Sequence, residues 1–374
     1  MNSLILNCGG RNTMGVSLNP RRVNSGERDW GADLAAIALR QWPLLNAIMG
    51  DDDLDEPLSQ GTALLCCGLG LLSLEVYLSL GGKQHIEEVE RAAALFSLVS
   101  KIDDQRVDAR NFHAGLDKDD VQVRAELYLH ATLDSIEAGL PLHDEPRLRL
   151  AAALGSTLQD LAGGSSRLER FSQLLDLGVE LQVATTTGFT SPPSEVPMDT
   201  IEVLTADTPL AWFAAILSIG TLPEDAERGL SSAETEALRA WACYLQWADN
   251  LADLEKDLEQ GHTSCYLGRS LWEQHPKEYE DAVEKGDWAA VYHLLAEEDL
   301  DRSLLPDQEH LEELGEALAE LGGLQDLFAW IHRFLITRYV EHRFCARSHR
   351  DEEFAAYHGA LPAWYPGAAT TAKD

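Results

Sequence analysis

A chain of 374 residues with 63 acidic against 29 basic side chains carries a formal charge of −34, which argues against the nucleic-acid backbone and anionic membrane surfaces as partners. Its 45% hydrophobic content supports a sizeable core and excludes a disordered chain. The six cysteines show neither C-x-x-C spacing nor the density of a secreted disulfide scaffold, so reduced thiols and a cytoplasmic setting are expected.

In chain order, residues 1–31 contain one short apolar run, Leu4–Leu6, with no basic segment before it. They read as a flexible arm and not as a secretory signal. Apolar residues then recur at three- and four-residue intervals over Asp33–Met49, Gly61–Leu80, Ile86–Asp108, Lys118–Ala138, Pro146–Leu161, Arg167–Thr186 and Thr208–Leu222, which predicts helices. The stretch Ala63–Leu80 approaches membrane-spanning length, but it carries Glu75 and several glycines and lacks flanking basic residues, so a buried core helix is expected and no integral membrane segment. Thr185–Pro197, with Gly188, Pro192, Pro193 and Pro197, reads as a loop within one bundle. Ser231-Ser232-Ala233-Glu234 has the form of a capping box opening a helix that runs to about Gln260, where Gly261 supplies the stop. Further helices are predicted over Pro276–Lys285, Trp288–Leu295, Gln308–Leu321 and Leu324–Arg347. The expectation is an all-α fold, a single helical domain over residues 32–350, with a tail over 351–374 whose end is disordered.

Two acidic clusters stand out against this apolar periodicity. The first is Asp103-Asp104-Gln105-Arg106-Val107-Asp108, and the second begins 141 residues after it at Asp249 and includes Asp253, Lys256 and Asp257. In a helix Asp104 and Asp108 share a face, and Asp249, Asp253 and Asp257 repeat the same interval twice. Like charges at that spacing repel, so such a face either meets water or is neutralised by a cation, and hard divalent ions take oxygen ligands of this kind. By contrast Asp51-Asp52-Asp53-Leu54-Asp55-Glu56 and Asp117–Asp120 sit among turn residues and read as solvated loops. The segment from Asp249 is no EF-hand, since Leu254 and Gln260 occupy the places of its Gly and Glu.

These residues resemble the class I isoprenoid synthases, especially bacterial terpene synthases. Asp103-Asp104-x-x-x-Asp108 matches the longer form of their Asp-rich motif, and Asp249, Asp253, Lys256 and Asp257 occupy the positions of their second motif, with Asp in place of a hydroxyl residue at 253 and of Glu at 257. Arg338-Tyr339, 89 residues beyond Asp249, matches the pair they carry on a late helix. The DxxxD form of both motifs, followed by Gly261-His262, is also similar to squalene and phytoene synthases and to large synthases of the tetraprenyl-β-curcumene type, although no Tyr-Cys-Tyr segment lies between the motifs.

The resemblance implies a helical bundle around a central active-site cavity, and a reaction in which a linear prenyl diphosphate ionises and yields a terpene hydrocarbon or alcohol. It implies that Asp103, Asp104, Asp108, Asp249, Asp253 and Asp257 hold a cluster of two or three Mg²⁺ ions, with Mn²⁺ as an alternative. Arg338, Tyr339 and Lys256 would bind the diphosphate. Phe96 and Trp241, one or two turns before the carboxylates, would line the cavity, and Trp212, Phe213, Trp330 and Phe334 are further candidates. The partner is a small molecule and not nucleic acid, and a homodimer is compatible with the family. A head-to-head prenyl condensing enzyme and a catalytically silent helical binding protein are the alternatives.

Overall fold

The computed structural model describes residues 29–50, 60–163, 166–223, 254–297, 327 and 330. The fold is all-α, and no strand occurs among the described residues. In order come α1 (Trp30–Met49), α2 (Gln60–Gly68), α3 (Gly70–Ser79), α4 (Ile86–Asp108), α5 (Arg110–His113), α6 (Lys118–Ala138), α7 (Pro146–Ala162) and α8 (Ser166–Thr190). A 3₁₀ turn at Pro193–Glu195 and α9 (Met198–Ile219) follow. The helical residues 254–260 (α10) precede α11 (Tyr266–Gln274), α12 (Pro276–Lys285) and α13 (Trp288–Glu297). The capping box at Ser231 and the helix expected over 308–321 lie outside the described residues; within the one expected over 324–347, Leu327 and Trp330 are helical.

The described residues group into two compact units. The first holds α1 to α3, α4 through Val107, α6 from Glu126, α7, α8 through Val179 and the end of α9 from Ala214. Its core is built from apolar stripes at helical spacing, among them Leu34, Ile37 and Leu45 of α1, Leu71 and Leu72 of α3, Ala92, Leu95 and Val99 of α4, and Leu148, Leu154 and Leu158 of α7. Helix ends are closed by side chains. Asp29 accepts from the Ala32 N–H at 3.0 Å to cap α1. At the other end of that helix Arg149 of α7 donates to the carbonyls of Ile48, at 3.1 Å, and Met49. Arg167 does the same after α9, donating to Thr221 O at 3.0 Å and Pro223 O at 2.6 Å. Gly155 allows α7 to pass the backbone of α6, where a Cβ would stand 1.8 Å from the Ile136 carbonyl oxygen.

The second unit holds Asp108, α5, α6 through Ala125, α8 from Glu180, the 3₁₀ turn, α9 through Phe213 and α10 to α13. Leu254 and Leu258 of α10 pack with Ile201 and Leu204 of α9, Leu267 and Leu271 of α11, Tyr279 of α12 and Val291 of α13 in one cluster. Polar ties fix the connection between them: Ser264 donates from its N–H to Phe189 O at 3.0 Å and from its hydroxyl to Ser191 O at 2.6 Å. Arg269 donates through Nε to Val196 O at 2.9 Å.

Two predicted elements take a different form. The single helix expected over 61–80 divides at Leu69, which lies between two glycines and shares its N–H between Leu65 O and Cys66 O. The helix expected to open at Thr208 begins ten residues earlier, at Met198, and carries Pro209 inside it. By length and composition alone Thr62–Ser79 and Met198–Ile219 would reach across a membrane; the first of these is 72% buried in the fold.

Candidate functional site

Helix α4 carries the first acidic cluster on its last turn and a half. Glu87 and Glu88 in its first turn suit the positive end of the helix dipole, whereas Asp103, Asp104 and Asp108 crowd the negative end, where Arg106 is the basic residue of the last turn. The carboxylates have different surroundings because a helix turns about 100° per residue. Asp103 is directed inward with Ile102 and Val107 and is 7% exposed, whereas the side chains of Asp104 and Asp108 are 36% and 22% exposed.

Asp103 meets Arg147 of α7. Arg147 Nη1 donates to Asp103 Oδ1 at 3.3 Å, to Thr132 Oγ1 at 2.8 Å and to the Tyr128 carbonyl at 3.0 Å, and the guanidinium lies 3.7 Å from the centre of the Tyr128 ring. Glu145 stands 3.5 Å from its Nη2. Burial pushes the Asp103 carboxyl up to about 6, against the opposing pull of Arg147 and Thr132. The expectation that Asp103 ligates metal beside Asp104 thus meets a carboxylate held by a buried arginine. Nothing in the primary structure pairs residues 103 and 147, so Arg147 escaped the sequence reading; its place in the first turn of a strongly apolar helix was the available signal.

Asp104 pairs with Lys101 at 2.5 Å, one turn earlier on α4. Asp108 has His262 near it: Nε2 is 4.0 Å from Oδ1, a charge contact longer than a hydrogen bond. His262 is placed by the end of α10. There Gly261 takes φ +95°, its N–H bonds Leu258 O at 3.1 Å, and the His262 N–H bonds the carbonyl of Asp257 at 2.8 Å. That is a Schellman closure, which turns the chain directly after the second acidic cluster. His262 is buried, 5.8 Å ring to ring from His113 and 6.5 Å from Phe189. Burial holds His113 below the usual histidine range, and its Nε2 has no hydrogen-bond partner among the described residues. Asp257 itself is partly buried, and Lys256 is exposed. Burial, reinforced by the charge of Asp257, pushes the Cys265 thiol up to about 12. The described cysteines Cys66, Cys67 and Cys265 are free and buried.

Of the expected lining residues, Phe96 is buried and packs edge-on against Phe171 at 6.2 Å, which is core packing. Trp212 and Phe213 of α9 are half-buried, perpendicular, with centroids 5.2 Å apart, and Trp330 is half-buried. Asp249, Asp253, Trp241, Phe334, Arg338 and Tyr339 lie outside the described residues.

Among the described residues no three His, Cys, Asp or Glu side chains converge as a ligand set. Mg²⁺ needs less: it is commonly held by one or two carboxylates and completes its octahedron with water and phosphate oxygens. Asp104 and Asp108, partly exposed and on one face, offer two hard oxygen donors of that kind. Comparison of the chain with protein-family models, with curated proteins and with solved structures gives no match.

Proposed function

We propose that the chain is a Mg²⁺-dependent class I isoprenoid synthase of the terpene synthase type, which ionises a linear prenyl diphosphate and releases diphosphate with a terpene hydrocarbon or alcohol. The observation that carries the reading is the pair Asp104 and Asp108, partly exposed and one turn apart at the negative end of a helix whose opposite face, with Ile102, Asp103 and Val107, is buried. A carboxylate pair in that position costs stability in the free protein, by mutual repulsion and by the helix dipole, and is relieved by a cation. Residues 104 and 108 supply one group of ligands, and Asp249, Asp253 and Asp257 supply the second. When bound, Mg²⁺ would stabilise the charge that develops on the departing diphosphate.

The remaining tasks belong to the chain. Arg338 binds diphosphate oxygens through its planar fork, with Tyr339 adding a hydroxyl and Lys256 a point charge. Half-buried aromatics such as Trp212 and Phe213 keep water from the hydrocarbon and present ring faces to positive charge. The all-helical character of the described residues, with the first acidic cluster ending α4 and Asp257 on α10, agrees with this assignment.

The decisive experiment incubates the protein with prenyl diphosphates of ten, fifteen, twenty and more carbons, with and without Mg²⁺, and measures diphosphate release and extractable product. Release that depends on Mg²⁺, with one prenyl diphosphate consumed per product, supports the proposal. Two consumed per product would make the chain a head-to-head condensing enzyme, the alternative suggested by the resemblance of the all-Asp second motif and the Gly261-His262 that follows it to squalene and phytoene synthases. Absence of release with every substrate would remove both and leave a binding protein.

A further inference from the structure

We infer that Asp103 and Arg147 are positioning residues that set the rotation of α4 and so present Asp104 and Asp108; the inference rests on the functional reading above. One guanidinium ties three helices together, through Asp103 of α4, Thr132 and the Tyr128 carbonyl of α6, and its own place at the start of α7. It lies over the Tyr128 ring, 3.7 Å from its centre, and is 6% exposed, so packing as well as hydrogen bonding restricts its direction. Near the N-terminal end of α4 the buried Glu90 accepts from Arg40 Nε at 3.3 Å and Nη2 at 2.8 Å, but the buried positions in the last three turns beside Asp103 are apolar, Val99, Ile102 and Val107, and such contacts tolerate a few degrees of rolling there. A charge-assisted bond to a guanidinium that α6 also holds restricts that freedom.

With Asp103 locked inward, helix geometry sends Asp104 to about 100° and Asp108 to about 140° around the axis, within one turn of each other and away from the core. Their side chains are accordingly 36% and 22% exposed. An apolar pair would fill the same interior and is often no less stable than a buried ion pair, so the polar pair is retained for direction. Adjacent acids in one motif then have separate duties: the first holds the helix, the second and third face outward.

Two variants test this. Asp103→Asn removes the charge but keeps an oxygen for Arg147 Nη1, so turnover at saturating Mg²⁺ should fall by about tenfold or less, the small end of the effect of changing a supporting partner. Asp103→Leu with Arg147→Met keeps the interior filled. Its melting temperature should not fall, while the Mg²⁺ concentration for half-maximal diphosphate release rises about tenfold and kcat changes less. In the metal-free protein, amide exchange over residues 103–108 should quicken although global stability holds. A loss of two orders of magnitude in Asp103→Asn would make Asp103 a ligand and overturn the inference. So would a folded double variant with parental Mg²⁺ dependence and parental exchange. A parent that releases no diphosphate defeats the functional reading alone, because the exchange measurement still decides whether the pair fixes the helix. If the double variant does not fold, Arg147→Lys, which keeps the charge but loses the planar donor set, decides: quickened amide exchange over residues 103–108 supports the inference, and parental exchange overturns it.

Discussion

Replacing Asp104 by Asn separates the cost of the carboxylate from its use. The pair with Lys101 is short, at 2.5 Å, but both side chains are about one-third exposed, 34% and 36%. An ion pair in that setting is worth about 0–1 kcal/mol. Against its loss stand two gains: relief of repulsion with Asp108 at i, i+4, about 0.2–0.5 kcal/mol, and removal of a negative charge from the C-terminal end of α4, about 0.3–1 kcal/mol. These terms nearly cancel, so urea unfolding of Asp104→Asn should match the parent within about 0.5 kcal/mol. Catalysis has no such compensation. An amide offers the metal a neutral oxygen, and a fall in turnover of about a hundredfold or more, equivalent to about 2.7 kcal/mol of barrier, is expected. Diphosphate release at fixed Mg²⁺ and substrate gives the measurement. Turnover within threefold of the parent would refute the placing of Asp104 at the metal, and a drop of several kcal/mol in stability would show the carboxylate to be structural.

Gly155→Ala should destabilise the protein by about 3 kcal/mol or more, because the new Cβ would meet the Ile136 backbone at 1.8 Å and one helix must move; an unchanged melting curve would contradict the close approach of α6 and α7. Gly261→Ala forces an L-residue into φ +95°, at about 1–2 kcal/mol, and disturbs the turn that places His262 near Asp108; Gly261→Asn should lose less by denaturant titration. Asp103 binds its proton more tightly folded, at about 6, than its ordinary value of 3.8. Its contribution is therefore complete below about pH 4 and lost as pH rises to about 6, by about 3 kcal/mol. Unfolding free energies of the parent and Asp103→Asn, compared between pH 4 and 7, should diverge by that amount with the parent losing stability relative to the variant, and parallel curves would deny the shift.

Elements governed by local pattern were legible, and those governed by partners were not. Ile86–Asp108, Lys118–Ala138 and Pro276–Lys285 coincide with α4, α6 and α12, since each has an apolar stripe broken at both ends by turn residues or proline. The opening of α9 was missed because Pro209 looks like a first-turn residue, yet the helix continues through it from Met198. Helix α11 was missed as well: it is nine residues long, and its buried face includes Gly268, Arg269 and Ser270, which carry no apolar signal. Gly261 was read correctly as a helix stop, because a left-handed glycine is a local requirement. The acidic spacing of the first cluster was visible too, but the spacing does not disclose that Asp103 faces Arg147, a partner 44 residues away.

That last point bears on how acidic motifs are to be interpreted. Three carboxylates within six residues look equivalent in the sequence, and repulsion alone would push them all to water. Helix geometry forbids this, because adjacent residues stand about 100° apart and cannot share one face. In this fold the difference is absorbed by sending Asp103 to a buried guanidinium and leaving Asp104 and Asp108 toward the surface. A doubled acid at the head of such a motif therefore need not mean two ligands. The inward residue would serve at some cost in burial, through an arginine that also bonds α6 from α7 and so links the packing of three helices to the direction of the two carboxylates that remain.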